Sequence, residues 1–105
     1  MKKYKVTLFD SAYDDLRDIY NFYTKNYNSS YASKVVRLLL YETFSLDIFP
    51  YANPICYITS KYIIRKKVVC KRYLIYFIII GNYVFIYNII DGRRNITPNN
   101  LFKSN

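Results

Sequence analysis

RKKVVCKRYLIYFIIIGNYVFIYNIIDGRRN, residues 65 to 95, decides the fold. It opens on cations, turns almost purely apolar and aromatic, and closes on Gly92-Arg93-Arg94. The residues from Tyr73 to Ile80 and from Tyr83 to Ile90 are rich in β-branched and aromatic side chains, which fit a pleated surface. Gly81-Asn82 between them suits the two-residue turn of a hairpin. These two runs read as strands covered on much of both faces, hence central in their sheet. A membrane helix is the rival reading, since Tyr73 to Ile90 is 18 uncharged residues long. That is the lower limit for a span. The Gly-Asn pair at its centre and the crowding of β-branched residues weigh against it.

Upstream lies Lys61 to Arg72, with six cations and no acid. Its apolar triplets Tyr62-Ile63-Ile64 and Val68-Val69-Cys70 keep it strand-like. Arg65 and Lys67, two apart, then share a face while Lys66 points the other way. Pro50 and Pro54 stop helix formation, and 50 to 60 reads as a loop. Before that, Ala12, Leu16, Ile19, Tyr20, Tyr23 and Tyr27 recur at three and four, an amphipathic helix. Ser11 with Asp14 resembles a capping box at its start. Asn28-Ser29-Ser30 breaks the pattern. A second helix runs from about Tyr31 to Ile48, burying Ala32, Val35, Val36, Leu39, Leu40, Thr43 and Leu46. So short a break makes an antiparallel helical hairpin. Lys5 to Phe9 reads as a short strand.

The order strand, helix, helix, three strands predicts an α+β domain: a small antiparallel-rich sheet of one N-terminal and three C-terminal strands, with the hairpin on one face. The hairpin spans about 11–49, the sheet about 62–90, and a loose polar tail about 97–105. At 105 residues the chain forms one domain. The other face of the sheet is left for function.

Charge is one-sided. Residues 1–60 carry seven Lys/Arg against six Asp/Glu, whereas residues 61–105 carry nine against Asp91 alone. Such a field attracts nucleic acid, an anionic membrane or an acidic protein. The chain has no His, which excludes His-based metal sites, triads and general bases. Cys56 and Cys70 lack CxxC spacing and read as reduced, buried apolar fillers, and the N-terminus lacks the apolar stretch of a signal peptide, so the expected compartment is the cytoplasm. Ile, Tyr, Asn, Lys and Phe are abundant together, so any one of the 14 tyrosines carries little functional information.

In this order and spacing the motifs resemble the RelE/ParE superfamily, the toxins of bacterial type II toxin–antitoxin modules. The matching stretches are AYDDLRDIYNF (12–22), SLDIFP (45–50), Ile64-Arg65-Lys66 followed by Tyr73 to Phe77, and IIDGRRNI (89–96). They cover about residues 4 to 97. The resemblance implies growth arrest by one of two routes, with a small antitoxin, acidic in its toxin-binding segment, as partner. ParE-like members poison DNA gyrase. RelE-like members cut mRNA on the ribosome, with no cofactor or metal, by making the ribose 2′-OH a nucleophile. Catalytically dead relatives that serve as binding modules are a third class.

By the same resemblance, Arg65, Lys67 and Arg94 fall on the basic positions of the nucleases and would stabilise phosphate charge. Lys66, Lys71, Arg72 and Arg93 form a cationic rim for binding. However, Leu74 stands where RelE-like enzymes carry a further Arg, and no Tyr appears near Asn99 and Asn100, where their C-terminal catalytic Tyr is expected. Proton transfer would fall to lysines or to strand tyrosines such as Tyr73 and Tyr76. Leu74 in this setting, followed by Gly92-Arg93-Arg94, is closer to the ParE-like pattern.

Overall fold

The computed structural model describes residues 3–93. Strand β1 (Lys5–Leu8) leads into helices α1 (Asp10–Asn26) and α2 (Ser29–Phe44), then β2 (Ile55–Ile58), β3 (Ile63–Val69), β4 (Tyr73–Ile80) and β5 (Tyr83–Asp91). The sheet runs β1-β5-β4-β3-β2, parallel between β1 and β5 and antiparallel elsewhere. The two apolar runs are central, as their composition requires.

Five strands form the sheet, where the sequence predicts four. The addition is β2, inside the stretch read as a loop. It comprises only Ile-Cys-Tyr-Ile, bounded by Pro54 and a turn at Thr59, and its ladder slips between Ile55 and Tyr57. A run this short shows no usable alternation.

Apolar side chains of α1 and α2 meet the sheet in one core. Tyr23, Leu39, Leu46, Ile75, Phe77, Val84, Ile86 and Ile89 are each at most 2% exposed there. Tyr27, expected on the buried stripe, is exposed. The opposite face is not bare. Ile64, Tyr76, Ile78 and Ile90 form a second buried cluster, packed with Cys56, Leu74, Phe85 and Tyr87.

The helix boundaries follow local hydrogen bonding. Asn28 caps α2 by accepting from the Tyr31 amide at 2.8 Å, so Ser29 and Ser30 lie inside the helix. The second helix ends at Phe44 and continues as a 3₁₀ turn over Ser45–Asp47. Ser11 does not cap α1. The helix begins at Asp10, and the Ser11 hydroxyl donates instead to the Tyr87 carbonyl. The ladder places Tyr76 opposite Asn88 but Phe77 opposite Ile86, leaving Tyr87 as an extra residue, a β-bulge. One turn along α1, Asp15 Oδ2 accepts the Ile89 amide and the Asn88 side-chain amide, each at 2.9 Å. Two α1 side chains four apart thus grip the backbone that the bulge exposes.

Two hairpin turns use positive φ. Gly81 at +57° carries the β4–β5 turn, while Cys70 and Lys71, at +54° and +55°, carry the β3–β4 turn. The latter is closed by the Arg72 amide donating to the Val69 carbonyl at 3.0 Å. Non-glycine residues pay for that conformation, which is why the basic segment read as one strand to Arg72. Gly92 is needed for another reason. A Cβ there would sit 2.7 Å from the Arg72 carbonyl oxygen, to which the Gly92 amide donates.

Two predictions follow from these contacts. In urea unfolding, Gly92→Ala is expected to lose about 2–3 kcal/mol through the backbone clash. Gly81→Ala, with open space around its Cβ, should lose only about 1 kcal/mol through φ strain. Equal losses would refute the distinction. The second concerns Asp15, whose carboxyl is raised above 3.8, first by burial and further by Asp18 and Asp14, against the lowering effect of the Asn88 and Ile89 bonds. A raised folded value means that the favourable contribution is present below the unfolded value and lost as pH climbs through the folded one. Asp15→Asn keeps an acceptor oxygen for both donors. It should match wild type in acid and be the more stable protein at neutral pH, as checked by stability curves at several pH values.

Candidate functional site

Arg65 and Lys67 alternate with Ile64 and Lys66 on β3 and so face the helix side, and each is spent on a neighbouring element. The Arg65 guanidinium donates from Nη1 to the carbonyls of Asn53 at 2.8 Å and Tyr51 at 3.4 Å, and lies 5.0 Å from the Tyr51 ring centroid. It braces the loop after α2. Lys67 Nζ donates to the Glu42 carbonyl at 2.8 Å and meets the Glu42 carboxylate at 3.0 Å. Glu42 is in the last turn of α2, whose final carbonyls have no helical partner. Lys67 therefore satisfies one of them and meets the negative end of the helix dipole.

Lys66 stands on the other face opposite Tyr76. It opposes the effect of burial on Cys56, whose thiol is still pushed up. Lys71 projects from the left-handed turn and is exposed, and so is Cys70 beside it, which is therefore no buried filler; Cys56 is only half-buried.

Arg72 points inward. Its guanidinium lies 5.3 Å from the Tyr23 ring centroid and 5.1 Å from that of Tyr73, donates to the Tyr23 hydroxyl, and reaches Asp91 Oδ2 at 3.4 Å. The Tyr23 and Tyr73 hydroxyls are 2.6 Å apart. Arg93 closes on the same carboxylate: its amide donates to Asp91 Oδ1 at 3.0 Å and its Nη2 lies 3.3 Å from Oδ2. Asp91 thus ties the exit of β5 to the β3–β4 turn, and Arg72 carries the tie on to α1. Arg94 lies outside the described residues.

The six candidate cations among the described residues therefore do not converge. Arg65 and Lys67 hold up the far end of α2 and its loop. Arg72 and Arg93 gather on Asp91, Lys71 stands on the adjoining turn, and Lys66 sits on the opposite face. The phenols bear on acid–base chemistry too. Burial pushes Tyr73 up to about 12 despite the lowering effect of Arg72, and Tyr76 is also raised by burial. Neither is a base at neutral pH. Leu74 is an aliphatic member of the second cluster. Among the described residues no group of three or more His, Cys, Asp or Glu could hold a metal ion, and no helix is long and apolar enough to cross a membrane. The Tyr23–Tyr73–Arg72 contact was not readable in sequence, since 50 residues separate the two phenols and nothing marks either.

No protein-family model matches the sequence, and no curated protein matches it. Solved structures do. A chain of "Chromosomal ParDE TA system from P. aeruginosa" superposes with a TM-score of 0.74 at 16% identity, covering 85% of this chain and 96% of that one. This chain has the fold of that toxin–antitoxin component. The α+β class expected from the sequence agrees with that fold, with five strands in the sheet in place of four.

The Lys67 bonds carry the prediction here. Lys67→Met removes a half-buried ion pair and leaves a helix-terminal carbonyl unpaired, and should cost about 2 kcal/mol in chemical unfolding. Glu42→Gln leaves the backbone acceptor in place and should cost less than about 1 kcal/mol. A larger loss from Glu42→Gln would mean that the carboxylate, not the helix end, is what Lys67 serves.

Proposed function

We propose that this chain is the toxin of a type II toxin–antitoxin module and that it arrests growth as ParE-like proteins do, by inhibiting DNA gyrase without cutting nucleic acid itself. One observation carries the choice between the two branches: Arg65 and Lys67, the pair that a nuclease would aim at a phosphate, are engaged with the Asn53 and Glu42 carbonyls. Leu74 in place of a further cation, and phenols held protonated at neutral pH, support the same reading. An endonuclease needs a group to take the 2′-OH proton and another to protonate the leaving oxygen. The ParDE fold match supports the toxin assignment, and the cationic C-terminal half suits an acidic antitoxin segment that orders on binding. The cytoplasm is the compartment in which either target is met.

The RelE-like alternative rests on Arg94 falling at a nuclease Arg position by resemblance. One pair of assays separates the branches. Purified protein in molar excess should abolish supercoiling of relaxed plasmid by gyrase, and antitoxin should restore it. In a translation extract the same protein should leave ribosome-bound mRNA intact by primer extension. Unaffected supercoiling together with A-site cuts that vanish in Arg94→Ala would overturn the proposal in favour of the nuclease.

A further inference from the structure

One end of the molecule combines exposed aromatic rings with cations. It is built from the tip of the α1–α2 hairpin, the β3–β4 turn and the exit of β5. Tyr27 and Tyr31 stand there 66% and 40% exposed, with ring centroids 5.3 Å apart. Both rest on the buried Tyr23 ring, at 5.7 and 5.2 Å. Arg72, in the turn that presents exposed Lys71, also packs on Tyr23. Through Asp91, Arg72 is joined to Arg93, whose side chain is 61% exposed. The contacts run unbroken from ring to cation, with three cations against one carboxylate.

From this juxtaposition we propose that the tip is a binding platform for single-stranded nucleic acid. Bases stack on Tyr27 and Tyr31 while the adjoining phosphates are held by Lys71 and by Arg93, whose bonds to Asp91 use Nε and Nη2 and leave Nη1 on a largely exposed side chain. Stacking on an aromatic face needs an unpaired base, so a duplex would engage only the cations. An acidic peptide would likewise engage the cations and leave the two rings unused. The charge pattern confines the contact to this end. Four aspartates of α1 (Asp10, Asp14, Asp15 and Asp18) lie in its N-terminal half, away from the tip, against Arg17 and Lys25. They repel a phosphate chain that strays along the helix. The platform involves no bond cleavage, so the proposal stands or falls separately from the toxin reading.

The test is fluorescence anisotropy with a labelled 12-nucleotide oligo(dT), a hairpin duplex of the same length and a labelled oligoglutamate. Oligo(dT) has no 2′-OH, so its retention cannot be a nuclease–substrate complex of the RelE kind. Tyr27→Ala should weaken oligo(dT) binding about tenfold, and Tyr27→Phe, which keeps the ring, should bind like wild type. Lys71→Gln and Arg93→Gln should each weaken it severalfold and flatten its salt dependence. Lys61→Gln, the same charge change at the other end of β3, should stay within twofold of wild type. Thermal melts of each variant separate lost binding from lost folding. The proposal is overturned if oligo(dT) does not bind. It is equally overturned if the duplex binds as tightly, if Tyr27→Ala binds as wild type, or if Lys61→Gln weakens binding as much as Lys71→Gln. Oligoglutamate binding at least as tight and insensitive to Tyr27 would assign the tip to an acidic protein instead.

Discussion

Tyr87 is one residue more than its ladder can pair, and the structure depends on how that surplus is satisfied. β4 and β5 lie inside the sheet, and the bulge opens their ladder at the half-buried Tyr87 and Asn88. An amide or carbonyl left without a partner there would give up a net hydrogen bond, worth about 0.5–1.5 kcal/mol. Ser11 takes the carbonyl, and Asp15 takes the next amide but one. Because those two side chains are one helical turn apart, they fix both the position of α1 across β5 and its rotation about its own axis. The rotation decides which residues of α1 are core. With Ser11 and Asp15 on the bulge, Ala12, Leu16, Ile19 and Tyr23 fall on the buried side. Using a carboxylate for this purpose has a cost, visible in the raised Asp15.

The placement of α1 propagates to the opposite end of the helix. Tyr23, the last buried residue of its stripe, meets Tyr73 at the start of β4, and Arg72 packs on both rings. Asp91 then draws the last residue of β5 onto the same guanidinium. The helix is thus anchored to the two central strands at both ends, by the bulge at one and by a phenol–guanidinium–carboxylate chain at the other. The second helix joins the same core through Ala32, Val35 and Leu39. Its C-terminus is held from β3 by Lys67, and the loop that follows is held by Arg65. Cations on the helix-side face of β3 are in effect the fasteners of the α2 end and of the loop beyond it.

This division explains what could be read in the sequence. Long apolar runs, a Gly-Asn turn and 3.6-residue periodicity are strong because burial produces them directly. They located β4, β5, the β4–β5 turn and both helices. β2 escaped because four apolar residues between a proline and a turn look the same as loop. The β3–β4 turn escaped because Cys70 and Lys71 are not residues that favour positive φ, and tertiary packing overrides their preference. Ser11 and Asp14 matched a capping pattern, yet the hydroxyl went to the bulge, an acceptor 76 residues away in the chain. For the candidate site, periodicity correctly put Arg65 and Lys67 on one face and Lys66 on the other. It could not say what that face meets, since α2's end and the 50–54 loop reach β3 only in the folded chain. Arg94, which entered by resemblance alone, lies outside the described residues.

The difference between a cation that fastens and a cation that catalyses is one of competition. A phosphate arriving at Arg65 would have to replace two backbone carbonyls and the Tyr51 ring, and one arriving at Lys67 would have to replace a carboxylate and a carbonyl. Each neutral hydrogen bond displaced is worth about 0.5–1.5 kcal/mol net, and the carboxylate more. The carbonyls left behind would then lack partners at a helix end and in a tight loop, so the cost exceeds the bonds counted. A catalytic cation must be available where charge develops, with its geometry already set. On this strand the geometry is set, but toward the protein itself. Arg65 and Lys67 are therefore placed by the fold as fasteners of the α2 end and its loop, whatever ligand the exposed cations of the rims meet.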